Sequence, residues 1–204
     1  FWSCDTRVDL LSDELLREMR LAGCQRLSLG VESGSQRILD AIDKKITVGE
    51  ILESTALAKK YGIKVRYYMM LGNRGDTAET FRETLDFLEK ARPHEYIFSC
   101  LSIYPGTRDF EDDEKSWLDR NVYFTQTFQE LKPPFDASEA DTAVMNEWFA
   151  HHSGLRAMHE PDAAEYAAIL ERLGDYHAAH MDLGAALYRE GALDAAEEHV
   201  RRAI

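Results

Sequence analysis

Residues Leu27–Lys45 read LSLGVESGSQRILDAIDKK. Apolar Leu27, Leu29 and Val31 run up to one carboxylate, Glu32. A turn of small residues follows, Ser33-Gly34-Ser35, and an amphipathic helical pattern opens behind it. That order predicts a strand, a loop and a helix, with a charged side chain at the strand's C-terminal end. Ligands of α/β barrels and open α/β sheets sit at that end. The order returns at Lys64–Thr77, where KVRYYMMLG leads into NRGDT and a further helix.

Working outward, the first 110 residues alternate strand and helix at a short period. The pattern predicts strands over Phe1–Cys4, Arg26–Val31, Lys64–Leu71 and Tyr96–Ile103. It predicts helices over Asp13–Ala22, Ser35–Ile42, Val48–Tyr61 and Thr77–Ala91. Gly23 and Gly62 fall where helix C-caps are needed. Such alternation implies parallel strands with crossover helices. Residues 111–160 are expected to form an irregular and helical extension, with a helix over Ala137–Met158 whose apolar stripe is Val144, Trp148 and Leu155. From about residue 161 the chain turns alanine-rich and helical. Gly174-Asp175-Tyr176-His177-Ala178-Ala179 is echoed by Gly191-Ala192-Leu193-Asp194-Ala195-Ala196. The line Leu183-Gly184-x-x-Leu187-Tyr188-x-x-Gly191 resembles the tetratricopeptide pattern, incomplete at the last unit. FWSCDTRVD already reads as a strand in progress, so the chain is expected to begin inside a fold.

Composition sets bounds. The 204 residues are 45% hydrophobic, enough for one or two small domains with real cores. A net charge of -13 argues against a broad nucleic-acid or anionic-membrane surface. No apolar run approaches the ~20 residues of a membrane span. The three cysteines, Cys4, Cys24 and Cys100, are scattered and odd in number, which fits a reducing, cytoplasmic setting. They form no C-x-x-C or C-x-x-x-C-x-x-C spacing, so no metal site of the chain's own is expected.

Several residues could carry chemistry. Glu32 can accept two hydrogen bonds from a ribose diol or one from an ammonium group. It can equally serve as a helix cap or pair with Lys44, Lys45 or Arg66. Ser33 and Ser35 read first as caps of the following helix. Lys44 and Lys45 could reach a carboxylate-bearing ligand, or simply place positive charge at a helix C-terminus. Arg7, just past the first strand, could bind an anion or be a solvated loop residue. Gly72–Thr77 is a glycine-bearing loop ahead of a helix without phosphate-loop spacing, and a tight turn with an N-cap explains it. His177 and His180 stand three apart but lack companion ligands, which favours packing or solvated roles.

Taken in order, the signals become specific. Trp2-x-Cys4-x-x-Arg7-x-Asp9 is followed by Leu15-Leu16-x-x-Met19-x-x-Ala22-Gly23-Cys24. Gly30-Val31-Glu32-Ser33-Gly34-Ser35 comes next, then Lys44 or Lys45 with Thr47. Met70-Leu71-Gly72, Thr77-x-x-Thr80 and Tyr104-Pro105-Gly106-Thr107 complete the series. This series resembles the C-terminal half of a radical S-adenosylmethionine (SAM) domain, in the branch often fused to a cobalamin-binding domain. The resemblance implies an α/β fold, a partial (β/α)6 barrel over residues 1–110, followed by the extension over 111–160 and tetratricopeptide-like helices over 161–204. It implies S-adenosylmethionine and a 4Fe-4S cluster as cofactors, with cobalamin as a further one. The cluster's three cysteines would lie in a loop upstream of this chain, and reductive cleavage would yield a 5'-deoxyadenosyl radical. By the family pattern Glu32 bonds the ribose and Lys44 lies near the methionine carboxylate. Arg7, at the preceding strand end, matches a second cofactor or substrate contact less closely, Tyr68 and Met69 lie near ribose and adenine, and Tyr104 closes the last strand. The segment Gly72-Asn73-Arg74-Gly75 departs from the family's Gly-x-Pro-Gly, which predicts a looser loop. The expected partners are the missing N-terminal half of the same protein and a protein held by the helical tail. The competing reading is a non-catalytic half-barrel acting as a protein-binding module.

Overall fold

The computed structural model describes residues 1–101 and 138–204. Four parallel strands form the sheet: β1 (Trp2–Thr6), β2 (Cys24–Glu32), β3 (Lys64–Leu71) and β4 (Glu95–Cys100). They stand in sequence order, and a two-residue strand β5 (Arg156–Ala157) adds antiparallel to β4. Helices α1 (Asp13–Leu21), α2 (Gln36–Ala41), α3 (Val48–Lys60) and α4 (Ala78–Ala91) make the crossovers. A longer helix α5 (Glu139–His152) follows, then α6 (Ala163–Leu173), α7 (His177–Arg189) and α8 (Leu193–Arg202).

Local chemistry sets the helix starts. Ser12 accepts the Leu15 N–H at the head of α1. Thr47 with Glu50, Thr77 with Thr80 and Asp162 with Glu165 form reciprocal caps on α3, α4 and α6. Gly23 and Gly62 follow α1 and α3 with φ of 95° and 73°, the left-handed turn that ends helices.

Strand alternation sorts the side chains into two faces. Leu27, Leu29, Val65, Tyr67 and Met69 are essentially sealed in the core, and Phe98 joins them. Phe81, Phe98 and Trp148 stack edge-to-face at 4.9–6.2 Å and bring α4 and α5 onto this layer. The register puts Asp5 beside Ser28, Ser28 beside Arg66, Gly30 beside Tyr68, and Arg66 beside Glu95. The second face is therefore polar, and Arg66 and Glu95 pair across it at 2.6 Å.

Two expectations change here. The helix predicted over Ala137–Met158 stops at His152. Ser153 is extended and Gly154 has φ 89°, so the chain turns out and Arg156 pairs with β4 instead. Its buried side is Met145 rather than the Val144–Leu155 stripe, whose two ends are exposed. Met69 likewise faces the core rather than the polar face, because it lies one residue from Tyr68 on a strand with a two-residue period.

The helices after Pro161 dock at the N-terminal ends of the strands. Tyr176 donates its hydroxyl to the Arg20 carbonyl at 2.8 Å, and Arg172 donates to the Lys60 carbonyl at 2.6 Å. Arg20, 1% exposed, is bound by Asp182 of α7. Ile169 lies 3.0 Å from where a Cβ on Gly62 would stand. Gly184 presents a similar close approach to Val200 and Ala196, so α7 and α8 pack through small residues. Gly174 and Gly191, the repeated glycines, both have left-handed backbone and both terminate helices.

Candidate functional site at the C-terminal strand ends

The opposite end of the sheet gathers most of the residues the sequence singled out. At the tip of β2 the register with β3 slips by one residue, between Gly30 and Glu32. The bulge turns Glu32 into left-handed backbone, φ 68°. Asp43 and Lys45, at 54° and 60°, are left-handed as well and flank Lys44. Three of the four non-glycine residues with such backbone among the described residues therefore meet at one place. Each costs on the order of 1–3 kcal/mol, and such strain concentrates where side-chain aim matters.

The strain brings Glu32 and Lys44 together. Lys44 Nζ donates to Glu32 Oε1 at 2.9 Å, with side-chain exposures of 23% and 19%. The pair closes over Gly30, where a Cβ would stand 2.8 Å from Glu32 Oε1 and 3.3 Å from Lys44 Nζ. Only glycine leaves this space. Of the alternatives open at the sequence level, the ion pair with Lys44 is the one formed. Lys45 turns outward to Asp43, and Arg66 is taken by Glu95.

Around the pair, Tyr68 stands on the polar face as the register neighbour of Gly30, 36% exposed. Arg7 lies just past β1, but its guanidinium is held by both Asp9 oxygens at 2.9 and 3.0 Å in solvent. That hydrogen bond, and less strongly Lys44, hold the Asp9 carboxyl below its ordinary range. Alternating charges Arg7, Asp9, Lys44 and Glu32 thus border the strand ends. Tyr104 lies outside the described residues.

The serines behave differently from expectation. Ser35 occupies the N-cap of α2, yet its hydroxyl goes to Glu83 rather than to the helix. Ser33 shares a hydrogen bond with Thr84 at 3.1 Å, and Gly34 N–H also reaches Thr84 at 3.1 Å. The loop after Glu32 is thus bolted to α4. A Cβ on Gly34 would lie 2.5 Å from Phe87 Cβ, so this glycine is a packing requirement.

The loop after β3 is firmer than the missing Pro-Gly suggests. Asp76, which sequence reasoning passed over, accepts the N–H groups of Gly72 and Asn73, both at 2.8 Å. Asn73 donates to the Met70 carbonyl at 3.1 Å. Burial pushes the Asp76 carboxyl up to about 6, against the lowering effect of the two N–H donors. A buried acceptor does the work a rigid proline would do.

The cysteines do not form a cluster site. Cys4, Cys24 and Cys100 are free thiols on three different strands. Burial pushes Cys24 and Cys100 up to about 11, which opposes the thiolate form an iron–sulfur cluster needs. Groups of three metal-ligating side chains are absent among the described residues.

Comparison with known proteins agrees with this architecture. Residues 2–88 match the radical SAM superfamily profile. The chain is 31% identical over 110 residues to an uncharacterized methyltransferase of Pyrococcus horikoshii, covering 54% of this chain and 24% of that protein. It is 28% identical over 175 residues to the anaerobic magnesium-protoporphyrin IX monomethyl ester cyclase of Rubrivivax gelatinosus, covering 84% of this chain and 26% of that one. The chain thus spans about a quarter of the length of these relatives. Among solved structures, coproporphyrinogen III oxidase (HemN) of Escherichia coli, described as a radical SAM enzyme, superposes with a TM-score of 0.57. That match covers 83% of this chain and 37% of HemN at 15% identity, a likeness of fold. The strained carboxylate at the tip of β2 and the first three parallel strands all lie within the matched stretch, so residues 2–88 are similar to the radical SAM superfamily.

Proposed function

We propose that this chain forms the C-terminal part of a radical SAM barrel and binds S-adenosylmethionine across the C-terminal ends of β1–β4. The observation that carries the reading is the strained Glu32–Lys44 pair over Gly30. Lys44 occupies Oε1 of Glu32. A carboxylate offers about four acceptor positions, so Glu32 keeps capacity for the two ribose hydroxyls. Lys44 lies within reach of the cofactor's carboxylate, and Tyr68 offers its ring to the nucleoside on the polar face. Arg7 contributes at the rim, and Tyr104 joins the proposal on the family pattern alone.

The residues present suit the nucleoside and amino-acid parts of the cofactor and do not suit the cluster. On this reading the 4Fe-4S cluster is held by cysteines elsewhere in the full protein. Bound there, the cluster and S-adenosylmethionine supply hydrogen abstraction. This chain's residues bind and orient the cofactor, and the polar sheet face of Asp5, Ser28, Arg66 and Glu95 borders the substrate. Cobalamin belongs to the same proposal, resting on the branch resemblance alone, and dependence of turnover on added cobalamin tests it.

Glu32→Ala in the full protein tests the cofactor role. Each charge-assisted hydrogen bond contributes about 1.5–3 kcal/mol, so S-adenosylmethionine affinity should fall on the order of tenfold or more. The melting temperature should change little, since the ion pair lost is partly exposed and the left-handed backbone carries a Cβ with either residue. Unchanged affinity with a lowered melting temperature would show that Glu32 is only a structural ion-pair partner.

A further inference from the structure

His180 sits on α7 at 2% exposure, yet both of its ring nitrogens are engaged. Nε2 lies 2.7 Å from Asp175 Oδ1, and Nδ1 lies 2.8 Å from Nδ1 of His199 on α8. The left-handed Gly174 turns the chain so that Asp175 meets a ring five residues on. The two imidazoles stand 5.0 Å apart, centre to centre, one turn from the close approach of Gly184 to Val200. An open groove of about 470 Å³, lined by Leu170, Glu171, Gly174, Asp175 and Arg202, reaches His180 from solvent.

Geometry fixes how many protons this chain of groups can hold. Ionised Asp175 only accepts, so His180 Nε2 carries a hydrogen. Between the two Nδ1 atoms one must donate and the other accept, so a single hydrogen fits there. The pair can be neutral, or carry one charge on either ring. It cannot carry two, because two Nδ1–H groups would then point at each other. The neighbours do not lift that limit. Asp175, Glu198 and, from α6, Glu171 favour positive charge, while Arg202 opposes it and is itself tied to Glu198 at 2.9 Å. Burial first, and then the charge of His180, push the His199 imidazole below its ordinary range. A Cβ on Gly184 would stand 2.9 Å from Val200 Cγ2 and 3.3 Å from the Ala196 carbonyl. Helices packed this closely are docked or undocked rather than stretched.

We propose that Asp175, His180 and His199 form a pH latch on α8, holding it against α7 while the two imidazoles carry at most one charge and releasing it when both are charged. The sign follows from proton counting. With α8 undocked, both rings take up protons near pH 6.5; with it docked, the second proton is refused. The docked state is therefore fully stabilised above that pH and loses stability as pH falls below it. Release uncovers the face of α7 around Gly184 and dismantles the groove beside His180.

Hydrogen exchange of the whole chain, read by mass spectrometry and corrected for intrinsic rates, tests this between pH 7 and 5. Amides of α8 should lose protection about tenfold or more relative to those of β3, as expected for an opening linked to one proton taken up near pH 6.5. In His199→Gln, whose neutral amide can face His180 Nδ1 in either charge state, that loss should vanish. Unchanged α8 protection in the wild type, or an equal loss in His199→Gln, overturns the proposal. Should the variant fail to dock α8 at pH 7, nitrogen-15 shifts of the wild-type imidazoles decide. One protonated and one bare Nδ1 at pH 7, with a second protonation that coincides with α8 exchange, support the latch. Two independent titrations near pH 6.5 refute it.

Discussion

Replacing Gly30 with alanine separates the cofactor role of Glu32 and Lys44 from any contribution to folding. The new methyl carbon would stand 2.8 Å from Glu32 Oε1 and 3.3 Å from Lys44 Nζ. Both atoms end flexible side chains, so the pair moves and the backbone does not. Gly30 lacks left-handed backbone, and alanine inside a strand is favoured over glycine by roughly 0.5–1 kcal/mol. Gly30→Ala should therefore melt at the same temperature or a few degrees higher, since ~1 kcal/mol shifts a chain of this size by about 2–4 °C. Its affinity for S-adenosylmethionine should fall by about 10- to 100-fold, the loss of one charge-assisted hydrogen bond of about 1.5–3 kcal/mol. Isothermal titration of the full protein beside differential scanning calorimetry reads both quantities. Wild-type affinity in Gly30→Ala would refute the reasoning, because the displaced pair would then be irrelevant to the ligand.

Two stability predictions follow from buried groups. His94 accepts the Val65 N–H at Nδ1 (2.9 Å), and burial drives its pKa down to about 3. The unfolded chain binds this proton near pH 6.5 and the folded chain does not, so the stability is present above that pH and is lost towards pH 3, by up to about 5 kcal/mol. Asp76, raised to about 6, acts with the opposite sign, losing stability as pH rises from about 4 through 6, by at most about 3 kcal/mol, so the histidine dominates. His94→Asn should flatten the acid limb of urea-denaturation stability between pH 6.5 and 4, and an unaltered slope would contradict this. Gly34→Ala puts a methyl 2.5 Å from Phe87 Cβ and should cost about 1–3 kcal/mol by overpacking; an unmoved urea midpoint would show that the loop yields.

The strands and helices up to Cys100 were legible because each depends on a local rule. The apolar alternation of β3, the caps Ser12, Thr47 and Thr77, and the glycines after α1 and α3 all act within a few residues. Glu32 and Lys44 were legible as candidates because they flank one loop and one helix. Their pairing was not, since it depends on a register slip and three left-handed residues that no composition announces. Asp76 was missed because an acid ahead of a helix cap looks like ordinary turn chemistry; its burial appears only once β3 and α4 are placed. The two-residue β5 and the early stop of α5 likewise depend on a tertiary edge, the free side of β4. Arg20 carried no sequence signal, since its burial comes from residues more than 150 positions away.

That separation bears on the order in which the molecule is made. Tyr176 and Asp182 reach Arg20 across 156 and 162 residues. Contacts of such span form late, after their loop-closure entropy has been met. During vectorial synthesis the strands and crossover helices emerge first, and Arg20 stays hydrated until α7 leaves the ribosome. Closing of the sheet's N-terminal end therefore waits for α7, and the helices after Pro161 set when this end is sealed relative to the strands it covers.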